Sequence, residues 1–246
     1  MKISVLTVFP EMIKPYTESS ILGRAQKKGI LDIEVVNIRD FAENKHKNTD
    51  DYPFGGGVGM LMMPQPIFSA MEKTKTPGCV SIYMSPQGET LTPKTAKELS
   101  EYEHIVILCG HYEGVDQRVL DSEIDREISI GDYVLTGGEL AALVVIDAMA
   151  RFVDGVLGSA DSAYEDSFSD GLLEAPQYTR PADFNGLKVP EVLLNGNHAH
   201  ICAWQREMQL RTTLKKRPDL LETADLDEND KKLLEKIRNE QKTLAE

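Results

Sequence analysis

The chain has 246 residues, enough for one large domain or a medium domain with a small appendage, because single cores stop growing near ~250 residues. It is 41% hydrophobic and 27% charged with a mean hydropathy of -0.30, and no apolar run of about 18 residues is present to span a bilayer. A formal net charge of -13 speaks mildly against nucleic acid, since phosphate binding needs Lys and Arg.

In chain order, MKISVLTVFPEM reads as a short strand and carries no secretory signal pattern, which places the protein in the cytoplasm. A helix is expected near 10–28, a strand at IEVVNI, a long loop, and a helix near 64–74. Then come a strand at VSIYM, a helix near 93–102, a strand at IVILCG, a helix near 114–122, and EISIGDYV leading into the helix ELAALVVIDAMARFV. Short apolar runs alternating with helical periods predict an α/β domain over 1–158, with a largely parallel sheet covered on both faces. Periodicity then disappears among Gly, Ser and Asp, which predicts a flexible linker or lid over 159–175. A small helical domain over 176–246 follows, with helices near 197–216 and 227–243, the second striped by Leu233, Leu234 and Ile237. Cys79, Cys109 and Cys202 are far apart and are expected to be buried thiols in a reducing compartment.

Four glycines crowd YPFGGGVGM (52–60), flanked by Lys45, His46, Lys47, Asp50 and Asp51. No GK[ST] follows, which excludes a Walker-type phosphate loop and leaves a glycine hinge or a ligand-contacting loop. Three strand ends, YMSPQG (83–88), CGHYEG (109–114) and ISIGDYVLTGG (128–138), finish in Gly, Ser, Pro or Tyr. Open α/β sheets put their ligand crevices at such ends. The first strand runs into FPEM rather than GxGxxG, so a Rossmann dinucleotide site is disfavoured. Three glycine-bearing loops together can hold an adenosine through backbone groups, and they can equally be plain strand-to-helix turns.

Arg151 ends an apolar helix, where a cation suits the helix dipole as well as a substrate. Glu165 and Asp166 in SAYEDSFSDG read as turn formers or as a catalytic carboxylate. His198 and His200 have no carboxylate at metal-ligand spacing. Trp204 suits a core anchor or a base-stacking platform. Within 200–217, Arg206, Arg211, Lys215, Lys216 and Arg217 face only Glu207, a basic strip on an acidic chain.

Taken together, FPEM, DDYPFGGGVGMLMMPQP, YMSPQG, CGHYEGVDQRV, EISIGDYVLTGGELAAL, RFVDGVLG, EDSFSDGLLEAPQYTRP and VPEVLLNGNH resemble the bacterial tRNA (guanine-N1)-methyltransferases, over residue 9 to about 218. The resemblance implies the SPOUT class: a parallel α/β sheet with a deep trefoil knot, an obligate homodimer with its active site at the subunit interface, and S-adenosyl-L-methionine as methyl donor. The cofactor-binding residues it implies are Tyr83, Met84, Ser85 and Pro86, then Gly110, Tyr112 and Glu113, then Ile130, Gly131, Asp132, Tyr133, Val134 and Leu135. It implies a tRNA substrate methylated at N1 of the guanosine 3′ to the anticodon, with Asp166 as general base and Arg151 stabilising charge on guanine O6. Magnesium dependence is associated with the family, although no ligand cluster is apparent in the sequence. The sequence departs from the family pattern at Asp154, where proline is common, and at His111, where arginine also occurs. Two other readings compete. A SPOUT enzyme acting on ribose 2′-hydroxyls or ribosomal RNA would share the cofactor loops without needing EDSFSDG, and a noncatalytic RNA-binding module would need neither Asp166 nor Arg151.

Overall fold

The computed structural model describes residues 1–158 and 166–243, so residues 159–165 of the expected linker, Glu165 among them, lie outside the described residues. The chain divides into two compact units, Met1–Ala160 and Asp161–Glu246.

The first unit is built on five parallel strands in the order β2-β1-β6-β5-β7. These are β1 (Lys2–Thr7), β2 (Asp32–Asn37), β5 (Val80–Thr90), β6 (His104–Leu108) and β7 (Arg126–Ser129). A two-stranded ribbon, β3 (Asp50–Asp51) with β4 (Leu61–Met62), stands outside the sheet. Every residue of β6 is buried, as a central strand covered on both faces requires. On one side Ile3, Val5, Ile82, Ile105 and Ile107 join α1 (Pro10–Thr17), α2 (Ser20–Lys27), α4 (Pro93–Ser100) and α6 (Glu139–Ala150) in one apolar cluster. On the other, Leu6, Val106 and Leu108 pack with α3 (Pro64–Thr74) and α5 (Gln117–Glu123).

The α/β architecture is as expected, with local differences. The helix expected near 10–28 is two helices, because α1 stops at Glu18 and Gly23 of α2 lies against the Glu18 carbonyl where no Cβ would fit. The strand expected through EISIGDYV ends at Ser129: the Ser129 hydroxyl bonds both the N–H and the carbonyl of Gly131, whose φ of 142° takes the chain out of the sheet. Of the cysteines only Cys109 is buried; Cys79 is half-buried and Cys202 exposed, because Cys202 lies on the outer side of its helix. Among the described residues no helix is long and apolar enough to cross a membrane.

The second unit packs α7 (His198–Lys216) with α8 (Glu228–Thr243) around Leu172, Leu210 and Ile237. Asn197 caps α7 by accepting the His200 N–H. A small hairpin, β8 (Asp183–Phe184) and β9 (Leu187–Lys188), turns through Asn185 and Gly186, both at positive φ. The arginines of the basic strip are engaged in ion pairs. Arg206 holds Asp230 at 2.7 Å and Asp170 at 2.6 Å, Arg211 holds Glu207 and Glu240, and Arg217 holds Asp219. Lys215 and Lys216 make no ion pair among the described residues.

The Arg206 guanidinium beside Asp230 holds that carboxyl below its ordinary value. A carboxyl depressed in the folded state stabilises above its unfolded pKa and ceases to do so as pH falls through the folded value. Asp230→Asn should therefore cost about 2 kcal/mol at neutral pH, and the gap to wild type in thermal melts should narrow below about pH 4. A gap independent of pH would mean that packing, not charge, makes this contact.

Candidate functional site

A bulge within β5 and the connections that leave β6 and β7 enclose a cavity of about 410 Å³, within the range of small-molecule sites. The first wall is a bulge. Met84 and Glu89 of β5 both pair with Ile128 of β7, so Ser85, Pro86, Gln87 and Gly88 loop out between them. The strand rejoins β7 at Glu89, just after Gly88, whose backbone lies so close to that of Glu127 that no Cβ would fit, and the Arg126–Glu89 pair at 2.6 Å clamps the exit.

The second wall, residues 110–115, leaves the central strand β6. A Cβ on Gly110 would stand 2.7 Å from the Tyr83 hydroxyl, and Tyr112 and Gly114 sit at φ of 58° and 128°. The third wall runs from Ile130 to Gly138. It is drawn against the second by the Gly138 N–H donating to the Gly110 carbonyl at 2.8 Å and by a bridge between His111 and Gly137. A Cβ on Gly138 would lie 3.0 Å from both Cys109 Cα and Gly110 N.

Of the cofactor residues expected from the sequence, Tyr83, Met84, Ser85, Pro86, Gly110, Tyr112, Glu113, Ile130, Gly131, Tyr133, Val134 and Leu135 line this one cavity. Asp132 does not. The Tyr133 N–H donates to the Gly131 carbonyl at 2.9 Å, which puts Asp132 at the apex of a tight turn, exposed. Gln87, His111, Thr136, Gly137, Gly138 and Glu127 also line it. The glycine pattern flagged their loops, while their approach to one another is long-range.

Burial pushes the Tyr83 hydroxyl above its ordinary pKa, helped by the charge of Glu127, and burial pushes the Cys109 thiol up further. Beneath the third wall Glu139, the first residue of α6, is completely buried. Its Oε1 accepts from the Thr7 hydroxyl at 2.6 Å, and among the described residues neither its Oε2 nor His111 Nδ1 has a hydrogen-bond partner. The wall as a whole offers backbone groups, apolar side chains from Ile130, Val134 and Leu135, and the carboxylates of Glu113 and Glu127. That set fits a planar heterocycle with a ribose and a positively charged tail.

Arg151 is the C-cap of α6 and half-buried. Asp166 belongs to the second unit, where its carbonyl accepts the Ser169 N–H at 3.2 Å and opens a turn. Phe168 N–H donates to Leu172 O at 2.7 Å, and Leu173 N–H donates to the Thr213 hydroxyl of α7. His198 and His200 are both exposed on the first turn of α7, and the Trp204 ring lies 6.4 Å from that of Tyr178.

Residues 1–223 match the family model for tRNA (guanine-1)-methyltransferase TrmD. The chain is 58% identical to the tRNA (guanine-N(1)-)-methyltransferase of Caldanaerobacter subterraneus subsp. tengcongensis, over 95% of this chain and 97% of that one. Identity is 53% to the proteins of the same name from Halalkalibacterium halodurans and Staphylococcus epidermidis, in both cases over 98% of this chain and 99% of the relative.

Because Gly138 touches main-chain atoms that cannot swing away, Gly138→Val should destabilise the first unit by roughly 1–3 kcal/mol and lower its melting temperature. A variant melting with wild type would show that the second and third walls separate freely.

Proposed function

The chain belongs to the tRNA (guanine-1)-methyltransferase family, and we propose that in its reaction Asp166 is the general base and Arg151 the cation at guanine O6. The protein transfers a methyl group to N1 of guanine in tRNA, and a methyltransferase of this family, in the SPOUT class, uses S-adenosylmethionine. When bound, that cofactor supplies an electrophilic methyl group on a sulfonium.

The strand-end cavity is where we place it. Backbone groups of Tyr83–Pro86, Gly110, Tyr112, Ile130, Gly131 and Tyr133–Leu135 would hold the adenosine, with Ile130, Val134 and Leu135 against its base and Glu113 near the charged end. The tight passage of Gly137 and Gly138 past Cys109 and Gly110 is, on this reading, where the chain is knotted. The observation that carries the placement is that the three loops converge on one cavity of cofactor size through backbone contacts that leave no room for side chains.

Guanine N1 bears a proton and is a poor nucleophile, so a base has to take that proton as the new N–C bond forms. The Asp166 carboxylate takes it. Charge then builds on O6, and a guanidinium there stabilises the transition state more than the ground state. Arg151 suits the role because its donors are directed as well as charged. Among the described residues no three His, Cys, Asp or Glu side chains converge as metal ligands.

Further parts of the reading are the guanosine 3′ to the anticodon as target, the cytoplasm as location and a homodimer as working form. The dimer draws support from α6, which exposes Leu140 and Val144, one turn apart, with the exposed Asp147 beyond them, while Met12 and Tyr16 of the adjoining α1 are also exposed. For tRNA capture the basic strip of the second unit offers Lys215 and Lys216, the three arginines of that strip being paired.

Asp166→Ala should fold, bind S-adenosylmethionine in calorimetry, and give no methylation in single-turnover assays with tRNA transcripts. Retained single-turnover methylation removes Asp166 as the base. Charge reversal at Lys215 and Lys216 should raise KM for tRNA more than it lowers kcat; an unchanged KM removes them from tRNA capture.

A further inference from the structure

The sequence YPFGGGVGM is absorbed neither by the cofactor cavity nor by either core. It forms the tip of the β3–β4 ribbon, in which Asp50 pairs with Met62 and Asp51 with Leu61. Tyr52, Phe54 and Val58 are 79%, 101% and 91% exposed. Single exposed apolar residues need no explanation, but three within seven positions, two of them aromatic, form a patch at a loop tip. Gly55, Gly56, Gly57 and Gly59 all have positive φ, and a Cβ on Gly55 or Gly56 would meet nothing. Those two glycines therefore set the turn and hold the aromatic side chains clear of the chain rather than packing against it.

The root of the ribbon is tied to the cofactor cavity. Glu113 N–H donates to Met60 O at 3.0 Å, Met62 N–H to Gly114 O at 2.9 Å, and Asp116 N–H to Met62 O at 3.1 Å. Gly59 lies so close to the Glu113 side chain that no Cβ would fit without moving it. Glu113, Gly114 and Val115 are themselves cavity wall. The returning arm of the ribbon is thus hydrogen-bonded along the second wall, and the aromatic tip is carried by that wall. Lys45, His46 and Lys47 are exposed on the loop that leads into β3.

We propose that Tyr52 and Phe54 form a stacking platform for an unpaired tRNA base next to the guanine being methylated, with Lys45 meeting a flanking phosphate while Lys47, bonded to the Asp40 and Ala42 carbonyls, holds the loop that presents it. The proposal rests on the cavity being the cofactor site. Aromatic faces accept any base by stacking, and single-stranded RNA is bound in this way where its bases are splayed from the helix. A base taken out of its stack for chemistry leaves its neighbours with an exposed face. An aromatic tip on a glycine turn can follow that face, while its root keeps register with the methyl donor. Val58, on the opposite arm of the tip, would shield the edge of the stacked base from water.

The test uses the full-length protein and a tRNA transcript with 2-aminopurine beside the target guanosine. Wild type should quench the probe on binding, and Phe54→Leu should remove most of the quenching. The same variant should raise KM for tRNA roughly ten- to a hundredfold, with S-adenosylmethionine affinity unchanged and Phe54→Trp restoring both readouts. Unchanged quenching and KM in Phe54→Leu would overturn the platform, as would a change in sedimentation with no change in tRNA affinity, since the tip would then be a contact between copies of the chain. Leu135→Arg separates this from the reading beneath it. If S-adenosylmethionine affinity survives that change the cavity is not the cofactor site, whereas the quenching, measured without cofactor, reports on the tip alone.

Discussion

The contact on which the site depends is the passage of Gly138 against the end of β6. Its N–H reaches the Gly110 carbonyl at 2.8 Å, and its α-carbon sits where any side chain would press on Cys109, Gly110 and the Cβ of Met84. A backbone approach this close joins the three cavity walls, because Met84 belongs to the first, Gly110 to the second and Gly138 to the third. It also sets the start of α6. Glu139 follows directly and goes into the core, where Thr7 donates to it and Phe9 N–H donates to the Thr7 hydroxyl at 2.9 Å. One short chain of hydrogen bonds thereby links the end of β1, the head of α6 and the turn closing the cavity. A buried polar oxygen with no partner among the described residues, as Glu139 Oε2 is, is costly in isolation.

Much of this was legible in the sequence and some was not. The three glycine-bearing strand ends could be read as a ligand crevice because parallel sheets place their crevices there. Helix positions followed from apolar periodicity, which is local. The roles of Gly137 and Gly138 did not follow. Sequence suggests backbone approaching a ligand, whereas Gly138 is needed for backbone approaching backbone, across about thirty residues of chain to Cys109. The bulge at Ser85–Gly88 was hidden for a related reason: SPQG looks like the end of a strand, and only the pairing of both Met84 and Glu89 with Ile128 reveals that the strand resumes. Asp132 was grouped with its neighbours because a motif does not reveal which of its residues occupies the apex of a turn. The identity of the reaction was carried by motif resemblance, since no arrangement of titratable groups in the sequence singles out guanine N1.

The basic strip illustrates how far a charge count can mislead. Read along the chain, 200–217 has five cations against one acid. In the fold, α8 and the turn after Asp166 bring Asp230, Glu240 and Asp170 to the arginines, and Asp219 closes on Arg217. Arg206, with two carboxylates and the amide oxygen of Gln209, is a structural tie in the second unit. Its planar fork suits that use, and lysine is the better residue for an unpaired, well-hydrated surface charge. The division between paired arginines and Lys215 and Lys216, which have no ion pair among the described residues, follows the same chemistry.

An RNA-modifying chain with a net charge of -13 faces a particular constraint. Phosphate attraction is long-ranged and blind to sequence, and every additional surface cation strengthens binding to all RNA alike. Pairing the three arginines of the basic strip internally reduces what that strip adds to the blind component. Discrimination can then come from short-ranged groups: backbone donors and acceptors around the strand-end cavity and, in the role we propose for them, aromatic faces that act only on a base already out of its stack. Such groups contribute nothing at a distance, so they favour an RNA with an accessible single-stranded loop over a continuous helix. An acidic surface and a glycine turn bearing exposed aromatic rings are, on this view, complementary, the first suppressing indiscriminate capture and the second adding affinity only where the target base is already accessible.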